Sequence, residues 1–89
     1  MARYLVIHAT PVGGTQDQVI GAAKTLVASL PPSVEWLNSW AAGEAERLFC
    51  EWEAENKETL LAALEPIKEL FPIEAVHLVT WIDPAWYRA

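Results

Sequence analysis

Apolar positions along the chain follow two different periods, and the change between them predicts four strands and two helices. Short runs rich in β-branched and aromatic residues indicate strands, whereas apolar residues three or four positions apart indicate amphipathic helices. The predicted strands are 3–9, 34–41, 46–53 and 73–83, and the predicted helices are 16–30 and 56–70. This β-α-β-β-α-β order predicts a ferredoxin-like α+β fold, with a four-stranded antiparallel sheet and both helices on one face. We expect a single domain over residues 1–89.

Capping and helix-breaking residues mark the ends of these elements. Thr15 or Asp17 is suited to cap the first helix, and Asn56 is suited to cap the second. Pro66 lies inside the second helical pattern, where a proline kinks or breaks the helix. A loop is expected at 10–14, and a turn at 42–45 joins the second and third strands as a hairpin.

Side chains alternate between the two faces of a strand, so each strand divides into two sets. We expect the mainly aliphatic set to pack beneath the helices: Leu5, Ile7, Leu37, Ser39, Phe49, Val76, Leu78 and Ile82. The other, helix-free face then collects Tyr4, Val6, His8, Trp36, Asn38, Trp40, Leu48, Cys50, Trp52, His77, Val79 and Trp81. Glu51 and Glu53 fall on the helix side in this assignment, and we expect them to reach solvent at the sheet margin.

The aromatic content is large for a chain of this size and predicts a partner. The 89 residues include 5 Trp, 2 Tyr and 2 Phe, and a sheet face made of such rings is too apolar to remain in water. The simplest cover is a second copy of the chain. We expect a homodimer in which two sheets face each other around a cavity, with Trp86 and Tyr87 contacting the partner subunit.

Charge and cysteine content exclude several classes of function. The 12 acidic and 6 basic side chains give a net charge of −6, which argues against binding to nucleic acid or to anionic membranes. The single cysteine cannot form an internal disulfide, so we expect a cytoplasmic protein. No apolar segment approaches a membrane span or a signal peptide. The glycine pattern of a nucleotide-binding loop and the signatures of serine hydrolases and zinc proteases are also missing from the sequence.

The two histidines are the first candidates for chemistry. The first and last strands are neighbours in a ferredoxin-like sheet, so His8 and His77 could form a cross-strand pair with Cβ atoms about 5 Å apart. Two imidazoles at that spacing could hold nickel or another late transition metal, completed by water or a carboxylate. His8 could instead act as a general base near neutral pH. The alternative for both histidines is a purely structural role.

The ring cluster and the cysteine are the remaining candidates. Trp36, Trp40, Trp52 and Trp81 could stack against an aromatic ligand, with Tyr4 and Asn38 orienting it, or they could simply fill the dimer interior. Cys50 could contribute to the ligand pocket, ligate a metal or act as a nucleophile, or it could be a small core residue.

Three segments carry a resemblance to a known family. They are Tyr4-Leu5-Val6-Ile7-His8, Ser39-Trp40 and Arg47-Leu-Phe-Cys-Glu-Trp-Glu-Ala54. From Tyr4 to about Asp83 the chain resembles a small bacterial family of largely unknown function, with nickel-binding members, in the dimeric α+β-barrel superfamily. The resemblance implies a dimeric barrel and a metal site that uses His8. It also implies further histidines on the helices, which this sequence lacks.

Two main functions and one structural alternative follow. The first is a homodimeric binding protein that holds a small apolar or aromatic molecule, or a nickel-like metal ion, in a sheet-lined cavity. The second is a cofactor-independent enzyme of the same superfamily, a monooxygenase, isomerase or cyclase, with His8 as general base. The third is a structural dimer whose interior is filled.

Overall fold

Four antiparallel strands form one sheet in the order β2-β3-β1-β4. A computed structural model describes residues 1–10 and 15–88. The strands are β1 (Ala2–Ala9), β2 (Val34–Ala42), β3 (Arg47–Ala54) and β4 (Ile73–Leu78), and the helices are α1 (Gln16–Ser29) and α2 (Lys57–Leu64). This confirms the predicted ferredoxin-like α+β fold. The predicted loop at 10–14 falls mostly on 11–14, which lie outside the described residues.

The helix boundaries follow the capping residues. The Thr15 hydroxyl accepts a hydrogen bond from the Gln18 amide at 3.2 Å, and the Gln18 side chain accepts one from the Thr15 amide at 2.9 Å, which forms a capping box. The Asn56 side chain accepts from the Thr59 amide at 2.8 Å. As predicted, Pro66 ends the regular helix, and a short 3₁₀ turn at Glu65–Ile67 replaces its last part.

The last strand is shorter than expected. It ends at Leu78 instead of Asp83, and a 3₁₀ turn at Pro84–Tyr87 follows. The Asp83 side chain caps this turn by accepting from the Ala85 amide at 2.9 Å. No helix in the described part of the chain is long and apolar enough to cross a membrane.

The core between sheet and helices corrects the face assignment for β1 and β3. Tyr4, Val6, His8, Cys50 and Trp52 are all buried on the helix side, not on the helix-free face as the sequence pattern suggested. The same error placed Leu48 and Phe49 on the wrong faces, since Leu48 pairs with His8 and Phe49 pairs with Ile7.

Charge explains the reversal. Arg3, Glu51 and Glu53 share one face of the sheet with Leu5 and Ile7, and burying three charged groups beneath helices carries a large desolvation cost. The helices therefore cover the opposite face, where the uncharged set lies. Because the predicted alternation places Glu51 and Glu53 beneath the helices, these two residues already indicate that the faces should be exchanged.

A bulge in β2 separates two tryptophans that simple alternation would place together. The pairing with β3 shifts between Trp36 and Asn38, so that Leu37 is the extra residue. Trp36 pairs with Trp52 on the helix side, whereas Trp40 pairs with Phe49 on the helix-free side. The expectation that Trp36, Asn38 and Trp40 share one face is therefore wrong, because a bulge reverses the alternation beyond it.

Candidate functional site

A cavity of about 370 Å³ lies between the sheet and the helices of a single chain. This volume is within the range of pockets that hold small organic ligands. Two of its lining residues, Ser39 and Ala41, are exposed, which gives the cavity access to solvent on the side of β2. The wall consists of His8, Thr10, Val19, Ala23, Leu26, Trp36, Ser39, Ala41, Leu48, Cys50, Trp52, Ile67 and Phe71.

Two stacked tryptophans form one wall of the cavity. The ring centroids of Trp36 and Trp52 are 5.5 Å apart with an interplanar angle of 13°. Trp36 Nε1 donates to Ser39 Oγ at 2.7 Å. Trp52 is 1% exposed, and its Nε1 has no hydrogen-bond partner within residues 1–10 and 15–88. The two rings thus give this wall a flat apolar surface.

His8 is a buried imidazole of defined tautomer. It is 1% exposed, and its Nδ1 lies 3.0 Å from the carbonyl oxygen of Phe71. Because a carbonyl only accepts, Nδ1 carries the proton and donates, and the neutral ring keeps its lone pair on Nε2. Burial lowers the pKa of His8 below 6.5, with the Phe71 hydrogen bond opposing the shift. The ring is therefore neutral at physiological pH and is suited to accept a proton or a hydrogen bond.

Cys50 lies on the same face as His8 and is also buried. Burial raises the pKa of the Cys50 thiol, and a hydrogen bond from Ser39 opposes that shift. Burial therefore disfavours the thiolate, which is the form of cysteine that acts as a nucleophile or metal ligand. Cys50 is one of the residues that line the cavity.

The predicted histidine pair does not form. His8 pairs with Ile73 across β4, whereas His77 pairs with Leu5, so the two imidazoles lie on opposite faces of the sheet. His77 is exposed. Within the described ranges, no group of three or more His, Cys, Asp or Glu side chains lies close enough to hold a metal ion. The described residues of one chain therefore bring together no donor set that fits a resident nickel ion.

Only part of the predicted ligand-binding set surrounds the cavity. His8, Trp36, Cys50 and Trp52 line it, and Tyr4 is buried on the same face. The site residues that sequence reasoning missed are Phe71, which fixes His8, and Ser39, which fixes Trp36. Sequence alternation gives no sign of either contact, because the first joins residues 63 positions apart and the second depends on the bulge.

The other predicted ligand-binding residues lie on the helix-free side of the sheet. Trp40 is 54% exposed there. Asn38 Nδ2 donates to Glu51 Oε1 at 2.9 Å, and Arg3 makes ion pairs with Glu51 at 3.5 Å and with Glu53 at 3.8 Å. The Arg3 guanidinium also lies 5.9 Å from the ring centroid of Trp81. Neither Trp40 nor this cluster around Arg3 is among the residues that line the cavity.

Comparison with solved structures shows the fold again. SCO4226 from Streptomyces coelicolor A3(2) superposes with a TM-score of 0.72 at 20% identity, covering 92% of this chain and 100% of that one. A putative antibiotic biosynthesis monooxygenase from Chloroflexus aurantiacus J-10-fl gives a TM-score of 0.53 at 14% identity, covering 92% and 95% of the two chains. Both identities are low enough that the likeness shows the fold alone.

The sequence comparison is more specific. A search of the curated proteins finds no match. The family model described as nickel responsive protein SCO4226-like matches residues 4–82, a range that includes all four strands and both helices. The resemblance drawn from the strand segments is confirmed, and the chain belongs to the SCO4226-like family.

Proposed function

We propose that the protein binds a small, largely apolar aromatic molecule in the cavity between its sheet and its helices. The observation that carries the proposal is the cavity itself, about 370 Å³ in volume and walled by the stacked rings of Trp36 and Trp52. Aromatic ligands gain from offset or parallel contact with such rings in addition to the transfer of apolar surface from water. A neutral, buried His8 avoids the cost of placing a charge beside such a ligand.

A cavity-filling substitution tests this proposal. Ala23 lines the cavity from α1, whereas Ala28 on the same helix does not line it and is exposed. Ala23→Leu should abolish quenching of tryptophan emission by two- and three-ring aromatic probes, and the matched Ala28→Leu should leave it unchanged. The proposal would be contradicted if Ala23→Leu bound the probes as the wild type does. It would also be contradicted if the wild type bound none of them.

The proposal includes a homodimer built on the helix-free face of the sheet. Leu5, Ile7 and Phe49 are only half-buried there, and Trp40 and Trp81 are each 54% exposed. A second copy of the chain would remove this apolar surface from water. The cavity, in contrast, is formed by one chain and does not depend on the partner. We also place the protein in the cytoplasm, which its one free cysteine supports.

The proposal assigns no nickel ion to the cavity of one chain. The family description connects relatives with nickel, but His8 is the one histidine among the residues that line the cavity, and burial disfavours the thiolate of Cys50. Equilibrium dialysis checks this point directly. We expect less than one tightly bound nickel ion per chain. Uptake of nickel by the wild type that is lost in His8→Asn would contradict the proposal that the cavity holds none.

A second candidate function is proton transfer by His8. The supporting observation is the fixed tautomer, in which Phe71 holds Nδ1–H and leaves the Nε2 lone pair on a ring that forms part of the cavity wall. Such a base would remove a proton from an activated C–H or O–H of a bound aromatic substrate. The test is deuterium exchange at the methylene group of anthrone. Acceleration by the wild type and not by His8→Asn supports the enzyme, and equal rates exclude it.

A further inference from the structure

The cavity between sheet and helices is less polar than the residues that line it. Histidine, serine, threonine and tryptophan side chains all form part of its wall. In the part of the wall that the described residues form, however, the surface facing the enclosed space is apolar throughout. The polar atoms of these side chains are therefore enclosed or turned away from the space that a bound molecule would occupy.

Two of these polar groups are held by partners within the protein. Nδ1 of His8 donates to the Phe71 carbonyl at 3.0 Å, and Nε1 of Trp36 donates to the Ser39 hydroxyl at 2.7 Å. A third, Nε1 of Trp52, is fully enclosed. The three rings thus contribute apolar surface to the cavity. A molecule that carried a polar atom into it would lose hydrogen bonds to water and meet no group of the described wall that replaces them.

We propose that the cavity selects aromatic hydrocarbons over analogues whose ring system carries a ketone or another polar group. The inference rests on the proposed function, because it concerns the ligand of the same cavity. Loss of a hydrogen bond to water that the wall does not replace corresponds to about a tenfold or larger difference in Kd. An apolar wall also favours binding over proton transfer by His8, since a base must reach the proton that it removes.

Two solvents give a scale for this selection. Cyclohexane offers no hydrogen bond to a dissolved ketone, whereas octanol donates one, so moving a ketone out of water costs more when the destination is cyclohexane. A wall that presents only apolar surface should discriminate as cyclohexane does. A wall with a donor within reach of the ligand should discriminate as octanol does, or less.

The compounds 9,10-dihydroanthracene and 9,10-anthraquinone form a matched pair of probes, because they share a three-ring skeleton and differ by two carbonyl oxygens. These oxygens lie on opposite edges of the central ring, so at least one meets the wall in any orientation of the bound probe. Equilibrium dialysis measures both Kd values, and partition from water into each solvent gives the two reference ratios. The wild type should bind dihydroanthracene about tenfold or more tightly than the quinone, with a ratio that matches or exceeds the cyclohexane reference.

The same measurement separates the inference from the proposed function. A ratio nearer the octanol reference, or tighter binding of the quinone, would show that a donor reaches the ligand and would overturn the inference while leaving the proposed function intact. Binding of neither probe would overturn both.

Substitutions locate the selection in this cavity. Ala23→Leu fills the cavity and should remove the binding of both probes, whereas Ala28→Leu, at an exposed position on the same helix, should keep the ratio. If Ala23→Leu does not fold, Ala41→Trp at the exposed side of the cavity serves the same purpose. Selective binding that persists in the filled variant would place the selection elsewhere on the molecule and contradict the proposal.

Discussion

The two faces of the sheet carry the same residue type in opposite environments. Trp52, on the helix side, is 1% exposed and stacks on Trp36, whereas Trp40, on the helix-free side, is 54% exposed. Beneath the helices the polar groups are few. The Phe71 carbonyl holds His8 and the Ser39 hydroxyl holds the Trp36 N–H, whereas the Trp52 N–H has no partner among the described residues. On the helix-free face, charged side chains lie among half-buried apolar residues.

This difference shows how one sheet can serve two purposes. The helix side is suited to a core with a ligand cavity, because the side chains buried there are uncharged. The mixed face is suited to association between copies, since its Arg3 and glutamates are paired within the chain and its apolar residues remain available. The cavity and the proposed dimer interface are therefore on opposite sides of the sheet and can be disturbed separately.

The largest expected effect comes from removing a ring on the helix side. Trp52→Ala should lower the free energy of unfolding by about 3–5 kcal/mol, because it removes a large buried side chain and leaves a void. Trp40→Ala should lower the free energy of unfolding by about 1 kcal/mol or less. Urea denaturation at concentrations where the chain is monomeric measures both variants. Similar losses for the two variants would contradict the difference in burial.

The second-largest effect is expected when a charge is placed on the helix-free face, where it should weaken the proposed dimer. Phe49→Glu places a carboxylate in the proposed interface and should weaken association about a hundredfold or more. Val27→Glu, at an exposed position on α1, is the matched control and should leave association unchanged. Sedimentation velocity measures both. Phe49→Glu should still bind aromatic probes, because the cavity belongs to one chain, and loss of binding with the dimer would show that the cavity needs the partner.

The pH dependence of stability should report the buried state of His8. Its pKa in the folded protein lies below the unfolded value of 6.5, so the unfolded chain takes up the proton first as pH falls. The contribution of neutral His8 to the free energy of unfolding is therefore fully present above pH 6.5. It is lost as the pH falls through the lower pKa of His8 in the folded protein. Urea denaturation of wild type and His8→Asn should give free energies that converge on acidification. A difference that is constant or that widens below pH 6.5 would contradict the assignment.

The smallest effect is expected for the charged cluster on the helix-free face. Arg3→Met removes two ion pairs whose side chains are partly exposed. Pairs of this kind contribute about 0–1 kcal/mol, so thermal denaturation of a monomeric background should change little, and added salt should reduce the difference further. A loss above 2 kcal/mol would mean that this face is organised as tightly as the core.

The element order was predictable because each signal is local. Thr15, Asn56 and Pro66 determine where helices begin or break through contacts within a few residues. The face that the helices cover is a tertiary property, and alternation alone does not determine it. The charges at Arg3, Glu51 and Glu53 would have indicated it had they been weighed before aliphatic character.

The site was less predictable because its geometry depends on distant pairings. The bulge at Leu37 brings Trp36 to Trp52 and moves Trp40 away, and no local residue signal marks it. The hydrogen bond from His8 to Phe71 depends on how the segment after α2 returns to the sheet. The sequence identified His8, Cys50, Trp36 and Trp52 as candidates, but on the wrong face. The fold brings these four together and separates them from the other candidates, Asn38, Trp40, His77 and Trp81.

Methyl NMR with bound 9,10-dihydroanthracene tests the central claim most directly, because it reports on which side of the sheet the probe sits. The account predicts shifts in the methyl groups of Val19, Leu26 and Ile67, which line the cavity, and unchanged signals from Leu5 and Ile7 on the opposite face. Shifts confined to Leu5 and Ile7 would place the ligand at the helix-free face and contradict the account.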